Sequence, residues 1–252
     1  MTSHPAPFDS REYWIARHEQ FAGSHQATGL LGSSRHANRI LYELRQQALL
    51  ASLNAVSLTG ARVLDAGCGL GDFSRFYSDR GARVYGCDVS PLAVEHCRKH
   101  GRGAFECGRI VDLPRLFPGV QFDIVHCFDV LYHLPDDREW EESLRTLDAV
   151  SAPPAVWFIT EIVRPRPGAT HIRARLRAAY ARELARYQRR IVQERRLHWL
   201  LSVQPVLHSR FPGLSVRLEP LCKIQPFAAM ARVALWRIGR SPADQGEESP
   251  CD

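Results

Sequence analysis

The chain has 252 residues, of which 45% are hydrophobic and 24% charged, and it carries a net charge of +6. These values are ordinary for a globular protein with a substantial core in one large or two small domains, and they exclude a disordered chain, a collagen and a coiled-coil rod. No apolar run reaches the roughly 20 residues of a membrane span, and no secretory signal opens the sequence. The cysteines form no CxxC pair. We therefore expect a cytoplasmic protein with reduced thiols.

The first 55 residues are predicted to form an N-terminal helical cap. A helix begins near Ser10 behind a capping residue, and a Gly- and Ser-rich loop follows over residues 23–34. Residues 38–53 then carry apolar side chains at helical spacing, which predicts an amphipathic helix.

Five short apolar runs alternate with helical stretches between residues 56 and 163. This alternation predicts βαβ units and a parallel sheet in an α/β fold. Ligands bind such sheets at the carboxyl ends of the strands. The predicted strands cover residues 62–65, 83–88, 103–107, 122–127 and 155–160.

The remaining third of the chain is predicted to add a lid and to complete the sheet. Residues 164–205 form an Arg-rich insertion in this prediction, with one long helix over residues 171–201. Residues 206–240 are expected to supply the last strands as an antiparallel hairpin, and the polar tail 241–252 is expected to be disordered. The two hairpin strands are predicted at residues 214–218 and 231–238.

The strongest motif is VLDAGCGLGD, which leaves the first strand and enters a helix. Its glycines let the backbone turn tightly and approach a ligand. A dinucleotide fingerprint would require glycine at position 72, where Asp72 stands, and Asp65 would repel a pyrophosphate but suits a ligand with a cationic amino group. The alternative is a glycine-rich turn that binds nothing.

Asp88 closes the second predicted strand, 23 residues after Asp65. A carboxylate at that position can accept hydrogen bonds from both hydroxyls of a ribose. Alone, such an acid is more often a helix cap. Paired with the glycine loop, it favours the ribose role.

Together these residues resemble the class I S-adenosylmethionine-dependent methyltransferases. The matching text is VLDAGCGLG from residue 63, VYGCDVSPLAVEHC from residue 84, DLP from residue 112 and FDIVHCFDVLYHLPDD from residue 122. The resemblance covers about residues 60–163. It implies an α/β fold with a doubly wound, mostly parallel seven-stranded sheet and helices on both faces. It also implies transfer of the sulfonium methyl group of S-adenosyl-L-methionine to a nucleophile.

The resemblance also implies roles for individual residues. Arg109 stands where members of the family often place an acid against the adenine amino group, and Ile110 is expected to stack on the adenine ring. Asp129, with its two predecessors, ends the fourth strand beneath the sulfonium. The methionine part is assigned to Asp65, Gly67, Cys68, Gly69 and Gly71, the ribose to Asp88, the adenine to Val89, and the end of the fourth strand to Cys127 and Phe128.

Catalysis needs mainly positioning, exclusion of water and, for a hydroxyl or protonated amine acceptor, a base. His133, after the fourth strand, is the preferred base, although a structural role is the alternative. Glu161, at the end of the fifth strand, is a candidate for holding the acceptor, and Tyr132 either lines the site or simply packs.

Tyr13, Trp14 and Arg17 share one face of the first predicted helix. In related enzymes such a helix closes over the cofactor, so Arg17 is a candidate partner for the cofactor carboxylate and Tyr13 a candidate contact. Ordinary packing with a solvated Arg17 is the alternative. No metal site is predicted, because His96 and His100 match no strong zinc pattern.

Basic charge is concentrated in the second part of the chain, where residues 161–252 hold 17 Lys and Arg against 8 Asp and Glu. One interpretation is a lid helix with a solvated basic face, and another is an anion site. We favour a small-molecule methyl acceptor, acidic or phosphorylated, with O or N as the nucleophile. An RNA methyltransferase and a non-catalytic cofactor-binding scaffold stay open as alternatives, and the oligomeric state is not readable.

Overall fold

The computed structural model describes residues 8–31, 33–54, 56–164, 171–198, 207, 210–224 and 227–240. They form a seven-stranded sheet in the order β3-β2-β1-β4-β5-β7-β6, so the predicted fold class is confirmed. The strands are β1 (Arg62–Ala66), β2 (Arg83–Asp88), β3 (Ala104–Cys107), β4 (Phe122–Cys127), β5 (Ser151–Ile162), β6 (Arg189–Leu197) and β7 (Val233–Arg240).

Helices cover both faces of the sheet and cap one end of it. Those in the described residues are α1 (Ser10–Gln20), α2 (Arg35–Leu53), α3 (Asp72–Ser78), α4 (Pro91–His100), α5 (Leu113–Leu116), α6 (Asp137–Ala149), α7 (Arg177–Ala185), α8 (Pro212–Leu218) and α9 (Phe227–Met230). Short 3-10 turns lie at Ile110–Asp112, Leu131–His133 and Glu219–Lys223. Within the described part of the chain, no helix is long and apolar enough to cross a membrane.

The order of the strands reverses between β1 and β4. From β1 the chain runs outward through β2 to β3 and then returns to β4 on the other side of β1, with all of these pairs parallel. A crevice opens at such a reversal, outside the carboxyl ends of the two strands. The glycine loop after β1 and the turn after β4 therefore meet at one place.

Successive side chains along each strand point to opposite faces of the sheet, so the core has two halves, one on each face. Leu64, Val125 and Trp157 belong to one apolar cluster, and their chain neighbours Val63, Ile124 and Phe158 belong to the other. Each of these six side chains is at most 1% exposed. Because both faces are covered, the central strands β1, β4 and β5 carry apolar side chains on both faces at these positions, as buried parallel strands do.

The prediction of one helix over residues 171–201 is wrong. Helix α7 ends at Ala185, Gln188 adopts φ +56°, and the chain turns back as the edge strand β6. β6 pairs antiparallel with β7 over eight registered residues, and that pairing outweighs the helix preference of the arginines.

The prediction of a strand over residues 214–218 is also wrong. They lie in α8, which has Pro212 in its first turn, where proline favours a helix start. The strand predicted at residues 231–238 exists as β7, but its antiparallel partners are β5 and β6. The tail 241–252 lies outside the described residues.

Several arginines of the basic segment have structural partners. Arg175 is 7% exposed and donates to Asp137 Oδ1 at 3.0 and 3.1 Å and to the Leu134 carbonyl oxygen at 2.9 Å. Arg189 is 2% exposed and donates to Asp148 Oδ1 at 2.6 Å and to the Ala155 carbonyl oxygen at 2.9 Å. These two side chains hold segments of the fold together.

Candidate active site

The loop between β1 and α3 is built from glycines that no other residue can replace without strain. Gly67, Gly69 and Gly71 have φ values of +80°, +51° and +76°. A Cβ atom at Gly67 would lie 2.3 Å from Val130 Cγ2, and one at Gly69 would lie 2.7 Å from Thr28 Cγ2. The loop is therefore in close contact with the turn after β4 on one side and with the N-terminal cap on the other.

Asp88 joins this loop to the next helix. Gly69 N donates to Asp88 Oδ2 and Ser90 N donates to Asp88 Oδ1, both at 2.9 Å. Each carboxylate oxygen can accept a further hydrogen bond. The bond from Ser90 N is the one expected of an acid near the start of a helix. The bond from Gly69 N fixes the carboxylate beside the glycine loop.

A cleft of about 1060 Å³, counting its open mouth, lies at these strand ends. Its lining combines strand ends with the N-terminal cap and α6. Predicted residues that line it are Gly67, Cys68, Gly69, Asp88, Val89, Arg109, Ile110, Phe128 and His133. The lining also includes Trp14 and Asp129, which the resemblance places near the cofactor. It further includes residues to which no sequence motif assigned a role, namely His18, Thr28, Tyr42, Phe73, His126, Glu139 and Ser143.

The remaining predicted residues do not line the cleft. Asp65 is 1% exposed, and Ser74 Oγ donates to its Oδ2 at 2.6 Å. Burial raises the pKa of Asp65 to about 7. Asp65 therefore braces the glycine loop against α3 in this structure. Gly71, Cys127, Tyr132, Glu161, Arg17 and Tyr13 are likewise not among the lining residues.

Arg17 holds the loop that covers the cleft. Its guanidinium donates to the carbonyl oxygens of Gln26, at 2.9 and 3.1 Å, and of Gly29. Trp14 stacks against the same guanidinium, 4.9 Å from ring centroid to Cζ. Besides Trp14, helix α1 contributes Ser10, Arg11 and the buried His18 to the lining of the cleft.

His133 is buried against aromatic rings. It lies edge-on to Trp14, with centroids 4.9 Å apart, and stacks parallel to His171 at 5.6 Å. His133 Nδ1 is 3.1 Å from the His171 carbonyl oxygen, which only accepts, so Nδ1 carries the proton and Nε2 keeps a lone pair. Burial lowers the pKa of His133 to about 4, so the ring is neutral at pH 7.

Glu161 lies away from the cleft, under α7. Tyr180 donates its hydroxyl to Glu161 Oε2 at 2.5 Å, and Ile162 N donates to Oε1 at 2.7 Å. Glu161 is fully buried, and burial raises its pKa to about 8. A carboxyl group in this setting holds its proton at neutral pH and contributes to the core.

Asp129 is the centre of a polar network at the end of β4. It adopts φ +58°, forms an ion pair with Arg45 of α2, and accepts hydrogen bonds on Oδ1 from Tyr132 at 2.7 Å and Thr160 at 3.0 Å. Tyr132 therefore orients Asp129, which itself lines the cleft.

Aromatic side chains form one wall of the cleft. The rings of His126, Phe73 and Phe128 pack mutually, with the His126 centroid 4.3 Å from Phe73 and 3.9 Å from Phe128 and the two phenylalanines 5.0 Å apart. Tyr42 continues the wall and donates its hydroxyl to Thr28 Oγ1 at 2.7 Å. His126 Nε2 has no hydrogen-bond partner within the described residues. Sequence reasoning missed Tyr42 and Thr28, because they reach the cleft only through the packing of the cap.

Comparison with known proteins agrees with this arrangement. A family model described as a methyltransferase domain matches residues 63–153. The ubiquinone biosynthesis O-methyltransferase of Bordetella parapertussis is 32% identical over 118 residues, which cover 45% of this chain and 47% of that protein. The chain thus aligns with about half the length of this curated relative.

Solved structures extend the likeness of fold to nearly the whole chain. Magnesium protoporphyrin IX methyltransferase from Synechocystis PCC 6803, crystallised with bound SAM, has a TM-score of 0.62 at 19% identity and covers 94% of this chain and 100% of its own. The [4+2]-cyclase SpnF has a TM-score of 0.61 at 20% identity and covers 94% and 97%. At such identities the likeness concerns the fold, which hosts more than one reaction.

Proposed function

We propose that the chain, whose residues 63–153 match a family model described as a methyltransferase domain, transfers the methyl group of S-adenosyl-L-methionine to a small-molecule acceptor. The observation that carries the proposal is the hydrogen bond from Gly69 N to the Asp88 carboxylate. It puts a tight glycine loop and a fixed carboxylate at the reversal of strand order, where a nucleoside ligand is bound in sheets of this kind.

The residues around the cleft suit this cofactor. Asp88 has acceptor capacity for ribose hydroxyls, and the loop Gly67–Gly69 lets the backbone approach the methionine part closely. Val89 and Ile110 supply apolar surface for a base. The cofactor brings an already activated methyl group, so the chain's own residues mainly position the reactants and exclude water.

We assign the role of base to His133. Its neutral ring and protonated Nδ1 leave Nε2 able to take a proton from an acceptor hydroxyl or amine. The edge-on contact with Trp14 and the stacking on His171 restrict the orientation of the ring.

The aromatic wall supports a planar acceptor with an O or N nucleophile. Phe73, Phe128 and Tyr42 offer flat apolar contact, and the curated relatives act in ubiquinone biosynthesis as O-methyltransferases. The basic segment gives little support to an acidic acceptor, because no described residue of 164–196 lines the cleft.

Five described cysteines carry free thiols, which favours a reducing compartment such as the cytoplasm.

The experiment is a methyl-transfer assay with radiolabelled S-adenosyl-L-methionine and a panel of neutral phenols, catechols and aromatic amines, alongside acidic analogues and bulk tRNA. Label transferred to a neutral aromatic acceptor supports the proposal. Label transferred to tRNA alone contradicts the small-molecule assignment. Tight cofactor binding without transfer to any acceptor favours a scaffold.

A further inference from the structure

A carboxylate lies at the end of the cleft where Val89 and Ile110 offer a slot for a base. It is Glu139, in the first turn of α6. The turn after β3, where related proteins often place an acid against adenine, carries Arg109 instead.

The slot is formed by two elements that pack together. The 3-10 turn Ile110–Asp112 contacts α6, and Ile110 is 6% exposed. Glu139 and, one turn further along α6, Ser143 both line the cleft opposite this turn. Ser143 is 1% exposed, whereas the Glu139 side chain keeps 28% of its surface accessible.

The other acid near this turn is already engaged. Asp112 Oδ2 accepts a hydrogen bond from Arg109 N at 3.0 Å, and its Oδ1 lies 3.8 Å from Arg115 Nη2. Asp112 lines a neighbouring groove and is not among the residues that line the cleft. It caps the turn and leaves the slot to another group.

Glu139 is available by contrast. Its Oε1 is 3.9 Å from Arg109 Nη1, too far for a hydrogen bond, and within the described residues its carboxylate accepts none. Burial raises the pKa of Glu139 and the charge of Arg109 opposes that rise. An accessible carboxylate beside a guanidinium is a strong acceptor for an N–H donor.

We propose that Glu139 accepts a hydrogen bond from the 6-amino group of the cofactor's adenine and so replaces the acid that is missing at Arg109. The inference rests on the proposed function, because it concerns the same cofactor. Arg109 Nη1 lies 3.9 Å from Glu139 Oε1 and forms no hydrogen bond with it, so the contact between Glu139 and adenine does not require Arg109.

The test compares two ligands by isothermal titration calorimetry: S-adenosylhomocysteine, and S-inosylhomocysteine, in which a 6-oxo group replaces the 6-amino group. A carboxylate attracts the first and repels the second, so the wild-type protein should prefer adenine by about tenfold or more. Glu139→Gln should bring the ratio of the two dissociation constants close to one, because an amide can also donate to the oxo group.

Two variants keep the result interpretable. Glu142→Gln changes an exposed acid on the same helix, paired with Arg145 at 3.2 Å, and should leave the ratio unchanged. Arg109→Ala retains Glu139 and should preserve the preference for adenine, even where the Gln variant folds poorly.

Each outcome bears on the inference. Tight binding of S-adenosylhomocysteine with the same ratio in the wild type and Glu139→Gln overturns the Glu139 assignment alone, as does a variant that weakens both ligands equally. Loss of the preference in Arg109→Ala, with Glu139 present, also overturns it. Binding of neither ligand by the wild-type protein overturns the proposed function and this inference together.

Discussion

The guanidinium of Arg45, on the cap helix α2, forms a buried ion pair with the carboxylate of Asp129 at the end of β4. The side chains are 7% and 15% exposed. Arg45 Nε also lies 3.3 Å from His198 Nε2, at the end of the edge strand β6. Arg45 thus connects the cap helix to Asp129, which lines the cleft, and to His198, which follows the edge strand β6.

Asp129→Asn is predicted to destabilise the protein by about 3–5 kcal/mol, because Arg45 would remain buried without its counter-charge. Urea denaturation followed by circular dichroism measures the free energy of unfolding. The matched control is Asp123→Asn, which breaks a more exposed pair with Arg62, at 3.0 Å, and should cost less than about 1 kcal/mol. An equal loss of unfolding free energy in the two variants would show that the buried ion pair stabilises the fold no more than the exposed one.

Asp88→Ala is predicted to weaken cofactor binding by about 1.5–3 kcal/mol, since hydrogen bonds to a charged group are lost. The bond to Gly69 N is lost at the same time, so the glycine loop should also become more mobile. Calorimetric titration with S-adenosylhomocysteine measures the change. Glu95→Ala, an exposed acid on α4, serves as the control, and unchanged affinity in Asp88→Ala would refute the ribose role.

His133→Ala is predicted to lower the rate of methyl transfer and to leave cofactor affinity nearly unchanged. A base contributes about 10²–10⁴-fold where it is used, so the loss should lie in kcat. Because the pKa of His133 is lowered to about 4, kcat/KM should show no inflection near pH 6.5 that depends on this residue. His100→Ala, on the exposed end of α4, is the control, and full activity in His133→Ala would make the ring purely structural.

Glu161→Gln is predicted to change how stability depends on pH. The folded state raises the pKa of Glu161 to about 8, above the value of about 4.3 in an unfolded chain, so the folded state binds more protons. The free energy of unfolding of the wild type should therefore fall between about pH 4.5 and 8, on the order of a few kcal/mol, and the Gln variant should lack this fall. Parallel pH profiles of the two proteins would contradict the raised pKa.

Local motifs predicted those site residues that directly follow a strand in the sequence. The glycine loop at Gly67–Gly71 and the carboxylate of Asp88 each follow an apolar run, and parallel strands bring such ends to one edge. His133 was found for the same reason. Residues whose place depends on packing between distant segments, such as Thr28, Tyr42 and Glu139, gave no local signal.

The edge strand β6 shows the same limit in the fold. Leu184, Tyr187 and Ile191 continue a helical spacing across the turn at Gln188, and arginine is a good helix former. The local pattern therefore favoured a helix. The strand exists because Arg189–Leu197 pairs with β7, a partner some 40 residues away, and such pairing is invisible to local periodicity.

The most direct measurement of the central claim is calorimetric titration of the purified protein with S-adenosyl-L-methionine and, separately, with NAD. We predict micromolar binding of S-adenosyl-L-methionine, weakened at least about tenfold by Asp88→Ala, and no binding of NAD. Binding of NAD alone, or of neither ligand, would contradict the assignment of this cleft to a methyl donor.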